Sequence, residues 1–555
     1  HSGLISPEQL PFKYQYEIHA NEIVLLAYYI AAINIESSYH SLVGGNYQPF
    51  GGICLTDTFQ LYEKGDLLDE LLAENSSRRH KQKQLPVRVI IGNPPYSIGQ
   101  ASANDNNANL RYAGLDERIR STYAERSTAT LKNALYDSYI RAIRWASDRI
   151  GDSGIIGFVT NAGWLEANTA DGLRQCLAEE FSSIYIFHLR GNARTSGELR
   201  RKEKDNVFGM GSRAPIAISL LVKNQNAAQH GQIYFHDIGD FLSREEKLDK
   251  INAFVSVAGI TASDGWQAIT PDQHGDWLNQ RNDNFSDFIV LGDKKSDGIK
   301  LFENYSNGVK TNRDAWVYNF SHSSLLKTVE NMIAYYNSEV ERYKISCAGK
   351  VKKDYPDVEK FVDFTSSRLS WTREVKQDLG NHKSRQVIKS GFIISLYRPY
   401  SKNWMYFNEH FNNCVYQMPR IFPDATAENV VICVSGIGAR NFSVLITKIL
   451  PCLDNIEKGQ CFPLYLYDEP APATSDASLF ATESTRTRRD AITDAGLNHF
   501  QTAYPDATLN KEGLFYYIYG LLHSPEYRTS YADNLSKELP RIPRVKTAAD
   551  FWAFS

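Results

Sequence analysis

The sequence has no pair of cysteines at Cys-x-x-Cys spacing, and its seven cysteines are widely scattered. This pattern indicates neither a zinc site nor a disulfide framework, so we predict no metal, and it fits a reducing cytoplasm. No apolar run is long enough to span a membrane, so we expect a cytoplasmic protein without a membrane partner. The sequence also lacks the Gly-x-x-x-x-Gly-Lys-Ser/Thr loop, which excludes an ATP motor of that type.

A strong charge of either sign is missing too. The formal net charge is −3 at pH 7, so any contact with DNA must come from local basic patches. Two such patches occur, at residues 78–83 and between residues 190 and 204. An apolar fraction of 42% in 555 residues allows sizeable cores, and a chain of this length is expected to form roughly two to four domains.

The most informative motif that is present is Asn93-Pro94-Pro95-Tyr96, directly after the apolar run 87–92. An exocyclic amine or carboxamide nitrogen is a poor nucleophile because its lone pair is delocalised. The Asn93 side-chain oxygen and the Pro94 carbonyl can each accept one N–H and draw such a nitrogen toward tetrahedral geometry, while the prolines keep the backbone rigid. Tyr96 offers a flat face for stacking. The motif predicts catalytic residues for methyl transfer to a planar nitrogen; the alternative is a plain Pro-Pro turn.

Strands alternate with helices over about 220 residues, which predicts an α/β fold with a Rossmann-like, doubly wound, mostly parallel sheet. One predicted strand ends at Glu17 and a second ends at Asp57; the others cover 87–91, 154–160, 183–189 and 215–222. Helices are predicted at 21–35, at 130–150 and at 170–181, the first of them buried because it is apolar nearly all round. We interpret 1–230 as one domain, 231–300 as a connector and 301–555 as a second, mixed α/β domain.

Ligands of such sheets bind beyond the carboxyl ends of the strands, where Glu17, Asp57 and Asn93 are all expected. In a methyltransferase sheet, an acid after the second strand accepts the ribose hydroxyls of S-adenosylmethionine, and an acid after the third accepts from its adenine amine. Glu17 and Asp57 are therefore predicted to bind this cofactor, although each could simply cap the next helix. No Gly-x-Gly turn, which would carry the methionine portion of the cofactor, precedes Glu17.

Several stretches together resemble one family. Asn93-Pro94-Pro95-Tyr96 is similar to the catalytic motif of those adenine-N6 DNA methyltransferases in which the recognition domain comes last. Other stretches resemble the methyltransferase and target-recognition portion of Type ISP restriction–modification enzymes, and the resemblance covers nearly the whole chain. These stretches are 17–22, 157–161, 189–192, 206–209, 311–316, 397–400 and 461–465.

The resemblance implies S-adenosylmethionine-dependent methylation of adenine N6 in a specific duplex DNA sequence, with base flipping. Further partners implied are the upstream nuclease and helicase-like ATPase regions of the same enzyme. The family's glycine-rich loop would lie just upstream of residue 1, so we expect a sheet without its first strand. Tyr96 and Phe208 are expected to stack on the target base, although Phe208 could be a core residue. The DNA contacts expected in the second domain, for which structural salt bridges are the alternative, are Arg313, Asp314, Arg398 and Lys402.

Two other functions stay open at this point. The chain could be only a DNA-binding specificity module that is inactive as a methyltransferase in this form. It could also methylate the side-chain nitrogen of protein glutamine, because that carboxamide requires the same chemistry. Enzymes of the latter kind are small and lack a large carboxyl-terminal unit such as 301–555. The recognised DNA sequence does not follow from any local code in the chain.

Overall fold

The computed structural model describes residues 5–63, 73–96, 110–129, 131–295, 297–365, 368–439, 441–469 and 486–555. The chain divides into two compact units, His1–Gln280 and Arg281–Ser555. The boundary therefore lies well beyond residue 230, where the sequence predicted the first domain to end.

The first unit contains short strands and helices in alternation. Its strands are β1 (Ala20–Glu22), β2 (Ile53–Leu55), β3 (Val89–Gly92), β4 (Ser153–Asn161), β5 (Ser183–Arg190), β6 (Ile216–Asn224), β7 (Gln232–Asp237) and β8 (Gln267–Ile269). Its helices are α1 (Leu10–Tyr16), α2 (Leu25–Val43), α3 (Ala73–Gln84), α4 (Ala113–Ile119), α5 (Ser138–Arg149), α6 (Asp171–Glu180), α7 (Gly197–Glu203), α8 (Arg244–Phe254) and α9 (Val257–Ala262).

Six of these strands form one sheet in the order β3-β4-β6-β5-β7-β8. The pairs β3·β4 and β5·β7 are parallel, whereas β6 runs antiparallel to both of its neighbours and β8 runs antiparallel to β7. The α/β class is confirmed. Four of the six strands, β3, β4, β5 and β7, run in one direction, as the predicted mostly parallel sheet requires, whereas β6 and β8 run in the opposite direction. The reason is that the connection through α7 returns the chain at the same end of the sheet instead of crossing it, so β6 reverses direction.

The segment predicted as a connector is largely part of the first unit. Strands β7 and β8 extend the six-stranded sheet, and residues of α8 and α9 pack against it through Phe254 and Ile260. The prediction failed because β8 has only three residues, α9 has only six and α8 is rich in charged residues, so none of them has a strong hydrophobic period.

Helices α5 and α6 pack against the six-stranded sheet. Tyr139, Ile143 and Ala146 of α5 are buried on one face, as their spacing predicts. The predicted helix at 130–150 is shorter, however: α5 begins at Ser138, and Leu131 is exposed. Strands β4, β5 and β6 and helix α6 match their predicted positions closely.

The amino-terminal region differs most from expectation. The segment predicted as a strand ending at Glu17 is helix α1, and Glu17 is the residue at its carboxyl-terminal cap. This helix forms because its Tyr14 packs against Tyr39 of α2, with ring centroids 3.8 Å apart. Helix α2 is longer than predicted, and its burial was predicted wrongly: Leu26 and Ile33 are among its exposed apolar side chains.

Strands β1 and β2 form a separate two-stranded parallel sheet. An asparagine side chain completes the free edge of β2: the Leu55 N–H donates to Asn75 Oδ1, and Asn75 Nδ2 donates to the Leu55 carbonyl, both at 2.9 Å. Asn75 on α3 thus replaces a neighbouring strand at this position. The expected missing first strand stays a prediction.

The second unit is also mixed α/β. Its strands are β9 (Ile289–Val290), β10 (Ser306–Asn307), β11 (Tyr318–Asn319), β12 (Phe392–Arg398), β13 (Ser401–Tyr406), β14 (Val431–Val434), β15 (Val444–Thr447), β16 (Leu450–Pro451), β17 (Gln460–Pro463), β18 (Tyr465–Asp468), β19 (Thr487–Asp490) and β20 (Arg541–Ile542). Its helices are α10 (Asp314–Val317), α11 (His322–Cys347), α12 (Val358–Phe361), α13 (Arg373–Gly380), α14 (Met418–Ile421), α15 (Asp494–Gln501), α16 (Lys511–Leu521), α17 (Pro525–Ser530), α18 (Ala532–Lys537) and α19 (Ala548–Phe554).

Two four-stranded sheets, β10-β17-β14-β15 and β11-β13-β12-β16, share one large core with the long helix α11. The buried face of α11 repeats at the spacing of an amphipathic helix, from Leu325 through Val329 and Ile333 to Val340. In the parts of the chain that are described, none of the helices has the length and hydropathy of a membrane span. All seven cysteines are free.

Candidate active site

The Asn93-Pro94-Pro95-Tyr96 motif begins where β3 ends. Strand β3 is paired in parallel with β4, and Gly92 lies opposite Phe158. A Cβ atom at Gly92 would lie 3.2 Å from the Phe158 ring, so this position favours glycine. The Asn93 and Pro95 side chains are exposed, whereas Pro94 and Tyr96 are half-buried. The motif therefore presents Asn93 to solvent at the carboxyl edge of the parallel pair.

Tyr96 is held by packing. Its ring meets the buried Tyr139 ring edge-on, with centroids 5.8 Å apart and planes at 85°. The Tyr96 hydroxyl is buried and has no hydrogen-bond partner among the described residues. Burial raises the pKa of Tyr96 to about 12, so the phenol is neutral near pH 7. The ring position is thus set by its apolar neighbours and not by its hydroxyl.

Phe208 lies on a loop that is fixed by buried polar contacts. Asn206 is buried: its Nδ2 donates to the carbonyls of Ala214 (2.8 Å) and Gly191 (3.2 Å), and its Oδ1 accepts from the Phe208 N–H (2.9 Å). Gly191 has a φ of +87°, and a Cβ there would lie 2.9 Å from Asn206 Cα. The loop geometry therefore depends on Asn206 and on a glycine opposite it.

Two cations of α8 hold the same loop from the other side. Lys247 is fully buried, and its Nζ donates to the carbonyls of Asp205 (2.6 Å) and Glu203 (3.1 Å). Burial lowers the pKa of Lys247 to about 8. Arg244 Nε donates to the Val207 carbonyl at 3.0 Å.

The loop and the catalytic motif contact one apolar cluster. Val207 belongs to it, and Tyr96 packs against it. The side chain of the next residue, Phe208, is exposed rather than in the core. The residue next to Phe208 and the Tyr96 ring thus pack on the same apolar cluster. The supporting role of Asn206 and Lys247 was missed from the sequence: Asn206 was noted only as part of the stretch 206–209, and nothing distinguishes Lys247 from a surface lysine.

The acid at the end of β1 is Glu22, not Glu17. Glu17 is exposed and paired with Lys13 one helical turn away. Glu22 Oε1 accepts from the N–H groups of Ile23 and Val24, both at 2.9 Å, and Oε2 has no hydrogen-bond partner among the described residues. The placement predicted for Glu17 is therefore wrong. The available signal was the sequence Ala-Asn-Glu directly before an apolar helix.

Asp57 lies close to Glu22 along the same sheet edge, because Glu22 pairs with Leu55 and its carbonyl accepts from the Thr56 N–H at 2.9 Å. Asp57 caps a short 3₁₀ helix, 58–61, by accepting from the Phe59 N–H at 2.9 Å. Asp57 thus caps a helix, which the sequence predicted as the alternative to cofactor binding. The other carboxylate oxygen accepts from the Tyr112 hydroxyl at 2.7 Å.

Tyr112 is a further residue that the sequence did not single out. It is buried, its ring meets Phe59 edge-on at 5.3 Å, and the Arg141 guanidinium lies 5.4 Å from its ring centroid. Burial and the hydrogen bond to Asp57 raise the pKa of Tyr112. The hydroxyl therefore stays protonated as a donor and fixes the Asp57 carboxylate.

Of the DNA contacts expected in the second unit, Arg313 is buried, at 3% exposure. Its Nη2 donates to Thr372 Oγ1 at 2.8 Å, and burial lowers the pKa of the guanidinium to about 10. A direct DNA contact by Arg313 is inconsistent with this burial. Asp314 accepts from Thr311 and, at 3.0 Å, from the Tyr397 hydroxyl, which is a structural role.

The other two candidates lie on the hairpin of β12 and β13. Arg398 lies 3.7 Å from Asp314 and donates to the Tyr397 carbonyl at 2.7 Å. Lys402 is exposed and has no ion pair within 4.0 Å in the described ranges. Of the four predicted residues, Lys402 is the one whose charged group is left accessible and without an ion pair.

Two family models match the chain. One, described as the Eco57I restriction-modification methylase, matches residues 54–194, and the other, the Type ISP C-terminal specificity domain, matches residues 300–555. The two matches fall in the first and second units respectively. A search of curated proteins found no match.

Three solved structures are similar over 99% of the chain. A nuclease-deletion mutant of the Type ISP restriction-modification enzyme LlaGI, in complex with a DNA substrate mimic, is 38% identical with a TM-score of 0.83. The ATP-dependent Type ISP enzyme LlaBIII bound to DNA is 37% identical with a TM-score of 0.83, and DrdV in a DNA complex is 37% identical with a TM-score of 0.82.

The chain covers 41%, 34% and 51% of the lengths of LlaGI, LlaBIII and DrdV. It therefore spans at most about half of each. The resemblance read from the motifs is confirmed by both family models and by these structures. The chain belongs to the Type ISP restriction–modification family, and it corresponds to the methylase and specificity regions of those enzymes.

Proposed function

We propose that this chain methylates N6 of adenine in a specific duplex DNA sequence, as the modification and specificity part of a restriction–modification enzyme. The observation that carries the proposal is the placement of Asn93-Pro94-Pro95-Tyr96 at the end of β3, with Asn93 exposed and Tyr96 fixed by Tyr139. The similar structures of LlaGI, LlaBIII and DrdV are complexes with DNA or with a DNA substrate mimic, which supports DNA as the partner.

The proposed chemistry follows from the two acceptors of the motif. Asn93 Oδ1 and the Pro94 carbonyl each accept one hydrogen of the adenine amine, so that its lone pair is released from the ring and directed to the methyl group. The nitrogen would form the new C–N bond as the bond between the methyl group and the donor's sulfonium sulfur breaks, with that electron pair going to sulfur and the neutral thioether leaving. The methylated nitrogen then loses one proton to water. Because the prolines fix the backbone, the acceptors need little reorganisation during the reaction.

The target base must leave the helix to reach these acceptors, at a cost of a few kcal/mol. Stacking on an aromatic ring is worth about 1–3 kcal/mol per base and offsets part of this cost. We assign one face of the base to Tyr96 and the other to Phe208. The support is that Tyr96 packs against the cluster containing Val207, while the Phe208 side chain next to Val207 is exposed.

S-adenosylmethionine supplies an electrophilic methyl group when bound. The free Oε2 of Glu22 suits the ribose hydroxyls, and Asp57 suits the adenine amine of the cofactor, because a carboxylate oxygen can accept more than one hydrogen bond. Tyr112 holds the Asp57 carboxylate in one orientation. Glu22 therefore takes the role that the sequence assigned to Glu17.

We extend the proposal to upstream nuclease and helicase-like ATPase regions, because the similar LlaGI structure is that of a nuclease-deletion mutant and LlaBIII is an ATP-dependent enzyme. Glutamine methylation is disfavoured because the second unit matches a specificity domain. A DNA-binding module without methyltransferase activity is the remaining alternative, and it is separated by cofactor binding.

The test compares the chain with its Asn93→Ala variant on unmethylated DNA of mixed sequence, with labelled S-adenosylmethionine and with sequencing to locate modified adenines. We expect Asn93→Ala to lower methylation by roughly 100-fold or more, as for removal of one essential polar group at a reacting atom. DNA affinity should change by less than about twofold, because Asn93 is assigned to the flipped base alone and the surrounding duplex is bound by other residues.

Asn46→Ala is the matched control, because Asn46 is another exposed asparagine of the first unit. Methylation retained by Asn93→Ala would refute the assignment. Calorimetric titration with S-adenosylhomocysteine tests the alternative: DNA binding without cofactor binding would identify a specificity module only.

A further inference from the structure

The hairpin of β12 and β13 exposes an aromatic ring at its tip. Pro399 and Tyr400 are the two residues between the strands, and Tyr400 is fully exposed (103%). The backbone of Tyr400 is left-handed, with a φ of +63°. A tyrosine in this region is uncommon because its Cβ is crowded there, and glycine would be the unstrained choice. The sequence thus places a large ring where neither burial nor turn geometry favours one.

The neighbours of the tip hold it firmly. Strand β12 is paired on its other side with β16. The Arg398 guanidinium stacks over the Tyr397 ring, 4.0 Å from its centroid. The Tyr397 hydroxyl in turn donates to Asp314 at 3.0 Å. The strained turn is therefore supported by the strands and side chains below it, and such strain at an exposed point is a reason to look for function.

The tip is also positively charged. Lys402 follows Tyr400 by two residues, is exposed and has no ion pair among the described residues. Arg398 precedes Tyr400 by two residues, and the carboxylate nearest to it, that of Asp314, is 3.7 Å away. Arg398 is thus ion-paired with Asp314, and Lys402 is the available cation beside the exposed ring. A cation next to an exposed ring suits a partner that offers phosphates next to flat apolar faces. Nucleic acid has this combination.

We propose that Tyr400 is an aromatic wedge that contacts the base stack of bound duplex DNA, with Lys402 paired to an adjacent phosphate. The inference rests on the proposed function in so far as DNA is the partner. Stacking is tolerant of sequence because every base has a π-face. Tyr400 therefore contributes affinity and positioning, while the choice of sequence depends on other residues of the second unit.

The experiment measures the affinity of the full chain for a fluorescent duplex of mixed sequence, by anisotropy, over a series of salt concentrations. Tyr400→Ala should weaken binding by about tenfold, within the range measured for loss of one stacking contact. Its salt dependence should match that of the unchanged chain, because no charge is lost. Lys402→Ala should instead lower the slope of log K against log salt by about one.

Two further variants distinguish the contribution of the aromatic ring to DNA binding from the effect of the strained backbone of the turn. Tyr400→Phe keeps the ring and should bind within about twofold of the unchanged chain, because the proposal requires stacking and not the hydroxyl. Tyr400→Gly removes the ring and relieves the left-handed strain, so it should bind as weakly as Tyr400→Ala while its thermal stability is maintained or raised.

Phe320→Ala is the matched control. Phe320 is a second exposed aromatic residue of the same unit (79%). It follows β11, which pairs with the far end of β13 at Met405 and Trp404. Unaltered binding by Tyr400→Ala, or an equal loss in Phe320→Ala, would overturn the wedge. If the unchanged chain methylates DNA and only the Tyr400 effect is missing, this inference alone fails; if the unchanged chain does not bind DNA, the proposed function fails with it.

Discussion

The two tyrosines proposed to contact DNA are held in opposite ways. Tyr96 in the first unit is half-buried and edge-on to Tyr139, and burial raises its pKa to about 12. Tyr400 in the second unit is fully exposed on a strained turn. Methyl transfer needs a base fixed to within a fraction of an ångström, whereas binding needs a side chain that reaches its partner. Both residues stand on well-supported backbone, so the difference lies in the rings: the ring proposed to position the reacting base is packed against another ring, and the ring proposed to bind the duplex is fully exposed.

Phe208 is the intermediate case. Its side chain is exposed like that of Tyr400, but its loop is held by Asn206, Arg244 and Lys247. Buried donors that bind backbone carbonyls can fix a loop as securely as regular secondary structure does. On this comparison Phe208 belongs with Tyr96, as a positioned ring.

Among the substitutions of the aromatic rings, Tyr96→Ala has the largest expected effect: it should lower kcat for DNA methylation by about 100-fold, because the base is no longer held at the acceptors. Tyr96→Phe should keep activity within about threefold, since the hydroxyl has no partner among the described residues and removing an unpaired buried hydroxyl costs little. Single-turnover methylation separates this loss from DNA binding.

Thermal unfolding of both variants serves as the control, because truncation of a packed ring also destabilises the protein. If Tyr96→Ala lowered only DNA affinity, as is expected for Tyr400→Ala, the proposed difference in role between the two tyrosines would be contradicted. An equal loss in Tyr96→Phe would assign the hydroxyl a direct role that its burial does not suggest.

The second effect concerns the two acids near β1. Glu22→Ala should weaken binding of S-adenosylhomocysteine by about tenfold, the loss expected for one charged hydrogen-bond acceptor. Glu17→Ala should leave it unchanged, because the Glu17 carboxylate is exposed and paired with Lys13. Calorimetric titration checks both, and a larger effect at Glu17 would restore the sequence-based assignment.

Much of the first unit could be predicted because its long strands and helices have a clear hydrophobic period. Strands β4 and β5 and helix α6 are such elements, and the motif at Asn93 is identified by its own residue types. Glu22 was missed because β1 has only three residues, too few for a period, so the strand was placed earlier in the chain. The reversed orientation of β6 was not foreseen either, because the hydrophobic period of a segment predicts a strand but not the direction in which it runs in the sheet.

The supporting residues of the site could not be predicted at all. Tyr112 and Asn206 act through contacts with Asp57 and Gly191, which lie 55 and 15 residues away in the chain. Arg313 was predicted wrongly for the same reason: an arginine in a polar sequence looks exposed until the surrounding fold buries it. Tyr400 differs, because its exposure and its left-handed φ are properties that only the structure gives.

The smallest expected effect is a pH dependence of stability due to Lys247. It tests whether the loop that carries Phe208 is held as firmly as the Tyr96 ring. Lys247 has a pKa of about 8 in the folded protein and an ordinary value of 10.5. Between these values the unfolded chain binds more protons, so the stability contributed by this site rises with pH and falls toward pH 7. Relative to Lys247→Met, the unchanged protein should gain about 1 kcal/mol in the free energy of unfolding between pH 7 and pH 9.

Lys250→Met is the control for this prediction, because Lys250 lies on the same helix, is exposed and also donates to a carbonyl, that of Ile238 at 3.0 Å. Denaturant midpoints at several pH values should show the same pH dependence for Lys250→Met as for the unchanged protein, and a weaker rise for Lys247→Met. Equal behaviour of the two variants would mean that Lys247 is hydrated in solution. The loop that carries Phe208 would then be mobile. Tyr96 would remain the one ring of the three that is fixed in position, and Phe208 would be grouped with Tyr400 as an exposed ring.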